Sequence, residues 1–320
     1  MRLPIILALM PTLAFADPRV DAALDTHILP AFEQLSMATK VLADAQTCAP
    51  HAEWQDVTQA WLAVSHLRFG PTEADNRAFG LAFWPDPRGA PPKALRTLLE
   101  QDPLDVSTAS IAGRGVYALE FLLYDPAFVD DPRRCDVIKA LAEDARTTAD
   151  EINLDWQDRY ADLMRGAGHN DTYQSEAEAV QELYKALLTG LQFASDTRLG
   201  RPLGTFERPR PKRAEMRRSE RSLANLETSL ISLRTLASIL AQSDTNVQAA
   251  VDETFARALS RAQNISTLTG GADLSLVSDP IGRLKVEILQ QDIDHIREVI
   301  TTQLGPLLGV DAGFNALDGD

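Results

Sequence analysis

An all-α protein of two helical bundles packed side by side is the architecture that the 320-residue sequence predicts, on two observations. Apolar residues recur at helical spacing in stripe after stripe, and stretches of strict apolar–polar alternation, the mark of half-buried strands, are absent. Leu223, Leu226, Leu230, Leu233 and Leu240 share one helical face, as do Ile138, Leu141, Ala145, Ile152 and Trp156, and again Leu289, Ile293, Ile296 and Ile300.

The first element is the apolar run Leu3 to Leu13, which follows Arg2 and ends at Ala14, Phe15 and Ala16 before Asp17 and Pro18. A charged start, an apolar segment too short to span a bilayer and small residues at both cleavage-determining positions describe an export signal cut after Ala16. Residues 1–16 are thus expected to be a signal peptide, and the mature chain to be periplasmic or otherwise in the cell envelope. No later segment approaches the roughly 20 apolar residues of a membrane helix. Helices are then expected near 18–45 with a bend before Pro30, 51–68, 92–101, 107–124, 134–165, 173–197, 213–242, 246–266 and 279–307. Between them fall breaker-rich loops: Gly70 and Pro71, Trp84 through Pro92, and Arg201 through Pro211. Gly166 to Asn170, after a long helix, is the expected boundary between an N-terminal bundle, 17–165, and a C-terminal bundle, 166–320.

Removing residues 1–16 takes away one base, Arg2, and leaves 30 basic against 46 acidic residues, a net charge of −16. That surface repels phosphate backbones, so nucleic-acid binding is disfavoured. The two cysteines, Cys48 and Cys135, contain no CxxC or Cys/His cluster, and in an oxidising compartment they are expected to form a disulfide.

Chemistry concentrates in two places. In Gly115-Val116-Tyr117-Ala118-Leu119-Glu120, Tyr117 and Glu120 lie three residues apart and so share a helical face, where a phenolate and a carboxylate would suit a ferric ion. The metal-free alternative is that Tyr117 buries its ring and hydrogen-bonds Glu120 or a neighbour. Arg114 beside the motif is a carboxylate clamp, internal or for a ligand. In Trp61 through Pro71, Trp61, Ser65 and Arg68 share one face with His66 turned away from it, either as a helix-end residue or as a ligand from a neighbouring helix. His27, His51, His169 and His295 are scattered, and no HExxH site, nucleophile elbow, phosphate loop or dinucleotide fingerprint occurs.

Gly115 to Glu120 resembles the Gly-x-His-x-x-Glu signature of the imelysin-like proteins, with Tyr117 where the histidine stands. Trp61 through Pro71, Leu187 through Pro202 and Gly313 through Asp320 are similar to the same family in order and spacing. The resemblance implies two helical bundles in the bacterial cell envelope, a site where the motif helix meets the second bundle, and an association with iron; some members were named as peptidases. Gly115 and Glu120 match the motif; Tyr117 departs from it. The implied function is a binding or accessory protein linked to iron or metal handling, non-catalytic because the motif histidine is missing. Its ligand site comprises Gly115, Tyr117, Glu120, Arg114, Trp61, Arg68 and His66, and Glu120 and Tyr117 are the candidate ligands of iron or another metal, the alternative being no cofactor. Two other readings stand beside it: a metal-dependent peptidase, and an envelope interaction module that uses loops 80–92 and 201–212 with Phe83, Trp84, Arg198, Arg201 and Phe206. The expected partner is accordingly a metal ion, a small ligand or another envelope protein.

Overall fold

The computed structural model describes residues 17–86, 88–269 and 272–310, so the expected export signal, 1–16, and the closing segment 313–320 lie outside the described residues. The helices are α1 (Pro18–Ala23), α2 (Leu29–Ala43), α3 (His51–Val64), α4 (Arg77–Leu81), α5 (Pro91–Glu100), α6 (Gly115–Tyr124), α7 (Pro126–Val129), α8 (Arg134–Asp155), α9 (Ala161–Arg165), α10 (Glu176–Gln192), α11 (Gly200–Leu203), α12 (Ser222–Ala241), α13 (Thr245–Thr269), α14 (Pro280–Val299) and α15 (Gly305–Leu307). Among the described residues there is no strand, only the isolated bridges Ala82 to Gly115 and Thr205 to Arg208.

The predicted stripes are the core. Every residue of the three sets named above is at most 1% exposed. In the first bundle α2 packs on α8 and α3, with α6 beside α8; in the second, α12, α13, α14 and α10 pack on one another. The seam is made by α3, which also packs against α12, and by α1, which reaches α10 and α12. Buried hydrophobic residues continue from one bundle into the other without a break.

Four of the long expected helices are interrupted by wider π turns, at Leu24–Ile28, Trp156–Tyr160, Phe193–Leu199 and Ile300–Leu304. The first precedes Pro30, which has no N–H to give and whose ring crowds the carbonyl four residues back; a wide turn relieves both. The chain stays helical there, and the wide turn stands where a bend is expected. Cys48 and Cys135 form the expected disulfide and tie the start of α8 to the segment before α3.

Two expected elements differ in a way that matters for the site. The 107–124 helix is broken: Val106–Thr108 and Ile111–Gly113 are single 3-10 turns, and α6 begins only at Gly115. The helix expected from residue 213 begins at Ser222, because residues 214–221 are drawn out as a loop with left-handed backbone at Met216 and Glu220.

Candidate functional site

The site is built where α6 meets the 214–221 loop and the π turn after α10. Gly115 opens α6 with φ +71°, and a Cβ there would come within 2.1 Å of the Leu81 carbonyl oxygen. The motif glycine therefore lets α6 start against the end of α4, a crossing no side chain permits. From the other side the Trp54 indole N–H donates to the Val116 carbonyl at 2.9 Å, fixing the first turn of α6 to α3.

Held this way, Tyr117 and Glu120 are both buried, 6% and 3% exposed, and face the second bundle. The Tyr117 hydroxyl donates to Glu215 Oε1. The other oxygen of Glu215 accepts from Arg198 Nε at 2.9 Å, and Arg198 Nη1 donates to Ser229 Oγ at 3.1 Å. Glu120 Oε1 accepts the backbone N–H groups of Arg218 (3.0 Å) and Ser219 (3.1 Å) and the Ser219 hydroxyl (3.0 Å). The two motif side chains thus clasp the loop that carries Glu215, Arg218 and Ser219.

Burial, reinforced by the negative charge of Glu215, holds the Tyr117 phenol well above its ordinary pKa, so it remains a donor. Burial also raises the Glu120 carboxyl, against the lowering effect of the loop donors and Arg218. Arg198 and Glu215 are 4% and 1% exposed, a buried ion pair whose remaining valences are met by Tyr117, Ser229 and, at 3.5 Å, Ser65.

Above this network opens a crevice of about 260 Å³, lined by Trp61, Trp84, Tyr117 and Phe193 with His66, Arg68 and Arg198 among its polar groups. Trp84 stacks on Tyr117 (centroids 6.1 Å apart) and meets Phe193 edge-on (5.7 Å). Phe193 and Arg198, five residues apart, would diverge on an α-helix; on the π turn the guanidinium sits 4.9 Å from the ring centroid. The Ser195 carbonyl in that turn accepts from the Gln290 side chain at 3.0 Å, so α14 supports the widened backbone.

Of the residues the sequence singles out, Trp61, Arg68, His66 and Tyr117 line this crevice. His66, expected to turn away from Trp61 and Arg68, reaches the same cavity because regular helix ends at Val64 and the chain bends there. Its Nε2 lies 3.3 Å from Nε2 of His27. Glu120 lies behind the crevice wall, against a neighbouring cavity that Tyr117 also lines. Arg114 is elsewhere: its guanidinium grips Asp144 by two bonds of 2.9 and 2.7 Å. Gly115 acts through the backbone alone. Sequence reasoning missed Glu215, Arg218, Ser219 and Ser229 and assigned Arg198 to a docking loop; the family-like stretch Leu187 through Pro202 was the available signal for Arg198.

The donors do not fit a bare metal ion. Glu215 is already neutralised by Arg198, the Tyr117 phenol resists losing its proton, and one Glu120 oxygen is occupied by three donors. A cation here would face the guanidinium groups of Arg198 and Arg218. Among the described residues no three His, Cys, Asp or Glu side chains converge.

The imelysin family profile matches residues 26–300, and the chain belongs to that family. Two solved structures share its fold. An imelysin-like protein from Psychrobacter arcticum 273-4 is 18% identical with a TM-score of 0.74, covering 92% of this chain and 96% of that one. A putative iron-regulated protein A precursor from Parabacteroides distasonis ATCC 8503 is 12% identical with a TM-score of 0.71, covering 93% and 97%. No curated protein matches the chain.

Proposed function

We propose that this imelysin-family chain is a non-catalytic binding protein of the cell envelope, linked to iron or metal handling, whose ligand occupies the aromatic crevice at the seam of the two bundles. The observation that carries the reading is the division of labour within the site. The motif pair is spent on holding the bundles together, while Trp84 and Phe193 remain half-buried at the mouth of a cavity whose rim carries the exposed Arg68, paired there with Glu73. Rings around an apolar volume with arginines at its edge suit a small organic anion. Metal would enter such a site inside an anionic chelate, carrying its own donors. Neither serine of the crevice is set against a base, since Ser65 and Ser229 both accept from Arg198. The disulfide and the precursor label of the Parabacteroides protein favour export.

Anilinonaphthalene sulfonate, an aromatic monoanion, is a suitable probe. The folded mature protein should bind one equivalent with enhanced fluorescence, and Phe193→Ala and Arg68→Gln should each weaken binding about fivefold or more. Unchanged affinity in both variants, or no saturable binding, would remove the crevice as the ligand site.

A further inference from the structure

Beyond the crevice, a second cavity of about 210 Å³ lies on the far side of the Trp84 and Tyr117 wall. Arg201, Lys212, Arg213 and Arg218 line it. Residues 201–221 hold eight of the chain's 31 lysines and arginines and only three carboxylates, in a protein whose net charge is −15.

Three of the four cations in the lining form no ion pair among the described residues. Arg218 is paired with Asp125 at 2.6 Å, but among the described residues Arg201, Lys212 and Arg213 form no ion pair, and the buried Nε of Arg201 has no hydrogen-bond partner. Burial, reinforced by the repulsion of Arg213 and opposed by the Asp86 carboxylate, holds the Arg201 guanidinium below its ordinary pKa. The two carboxylates in the cavity are turned to other work. Asp86 accepts the backbone N–H groups of Arg88 (3.0 Å) and Ala90 (2.8 Å), and Glu120 accepts those of the 214–221 loop. Rings hold two of the guanidinium groups in place: Arg201 lies 5.9 Å from the centroid of Trp84, and Arg218 3.6 Å from that of Phe121. A guanidinium resting on a ring keeps its in-plane N–H groups free for an oxyanion.

We propose that this basin binds a compact multivalent oxyanion, a phosphate or polycarboxylate group, between Arg201, Lys212 and Arg213. The ligand pairs with three like charges that form no ion pair within the described fold, and it does so independently of what fills the crevice.

Isothermal titration of the mature protein with inorganic phosphate and, separately, with citrate tests this at ionic strength held constant with chloride. One saturable equivalent is expected for at least one of them; phosphate alone identifies a phosphate-bearing ligand and citrate alone a polycarboxylate. The Arg201→Gln/Arg213→Gln double variant should bind at least about tenfold more weakly while unfolding at the wild-type temperature. Removing two charges from the same segment outside the basin, in Arg208→Gln/Arg210→Gln, should leave binding unchanged, as should the crevice change Phe193→Ala. Absence of saturable binding for both anions overturns the proposal, and so does an equal loss in the Arg208→Gln/Arg210→Gln variant, which would mean diffuse charge attraction.

Discussion

Glu215 is the residue on which the site turns, because it satisfies Tyr117 with one oxygen and Arg198 with the other. Tyr117→Phe removes one donor and leaves the ion pair intact, so it should cost about 1 kcal/mol in chemical denaturation. Glu215→Ala strands a buried guanidinium and should cost about 3–5 kcal/mol in the same experiment. The buried imidazoles make a second prediction. Burial lowers His27 to about 4, and burial with His27 and Arg198 nearby holds His66 well below the usual histidine value. Unfolded histidines take up protons below about 6.5, whereas these do so only at much lower pH, so their contribution is intact above 6.5 and stability declines as the pH falls from 6.5 toward 4. Denaturation across that range should show a shallower slope in His27→Gln/His66→Gln than in wild type. At this scale the sequence revealed the motif pair but not its partners: Tyr117 and Glu215 are 98 positions apart, and no local spacing announces such a contact.

Among the elements, the 214–221 loop was the hardest to foresee. Its composition, rich in Ala, Glu, Met and Arg, favours helix by intrinsic propensity. Tertiary bonds outweigh that preference: the amides of Arg218 and Ser219 are committed to Glu120, and Met216 and Glu220 adopt φ of 45° and 56°. Once Glu120→Ala removes the acceptor, the loop should open, and limited trypsin digestion should cut after Arg217 or Arg218 faster than in wild type at equal global stability. The start of α6 was misplaced for a related reason. Gly113 and Gly115 sit in an apolar run that reads as continuous helix, and only the approach of the Leu81 carbonyl shows why Gly115 ends it. Gly115→Ala must take on both a left-handed backbone and that clash, and should destabilise the protein by at least about 2 kcal/mol, measured by thermal or denaturant unfolding.

Across the whole molecule the fold was plain in the pattern, since the long stripes on α8, α12 and α14 depend only on helical periodicity and the need to bury it. The Cys48–Cys135 pairing was equally accessible, there being no other partner for either cysteine. That bridge closes a separation of 87 residues, and its reduction should lower stability by roughly 3–4 kcal/mol, seen as a fall in unfolding temperature with added dithiothreitol. What periodicity could not convey was the arrangement at the seam, where Tyr117 and Glu120 clasp the loop of the second bundle and guanidinium groups line the adjoining cavities. Equilibrium dialysis of the protein and of Glu120→Ala against ferric, ferrous and zinc ions, followed by elemental analysis, tests that account most directly. It predicts no stoichiometric uptake that depends on Glu120; one ion held per wild-type chain and lost in Glu120→Ala would contradict it.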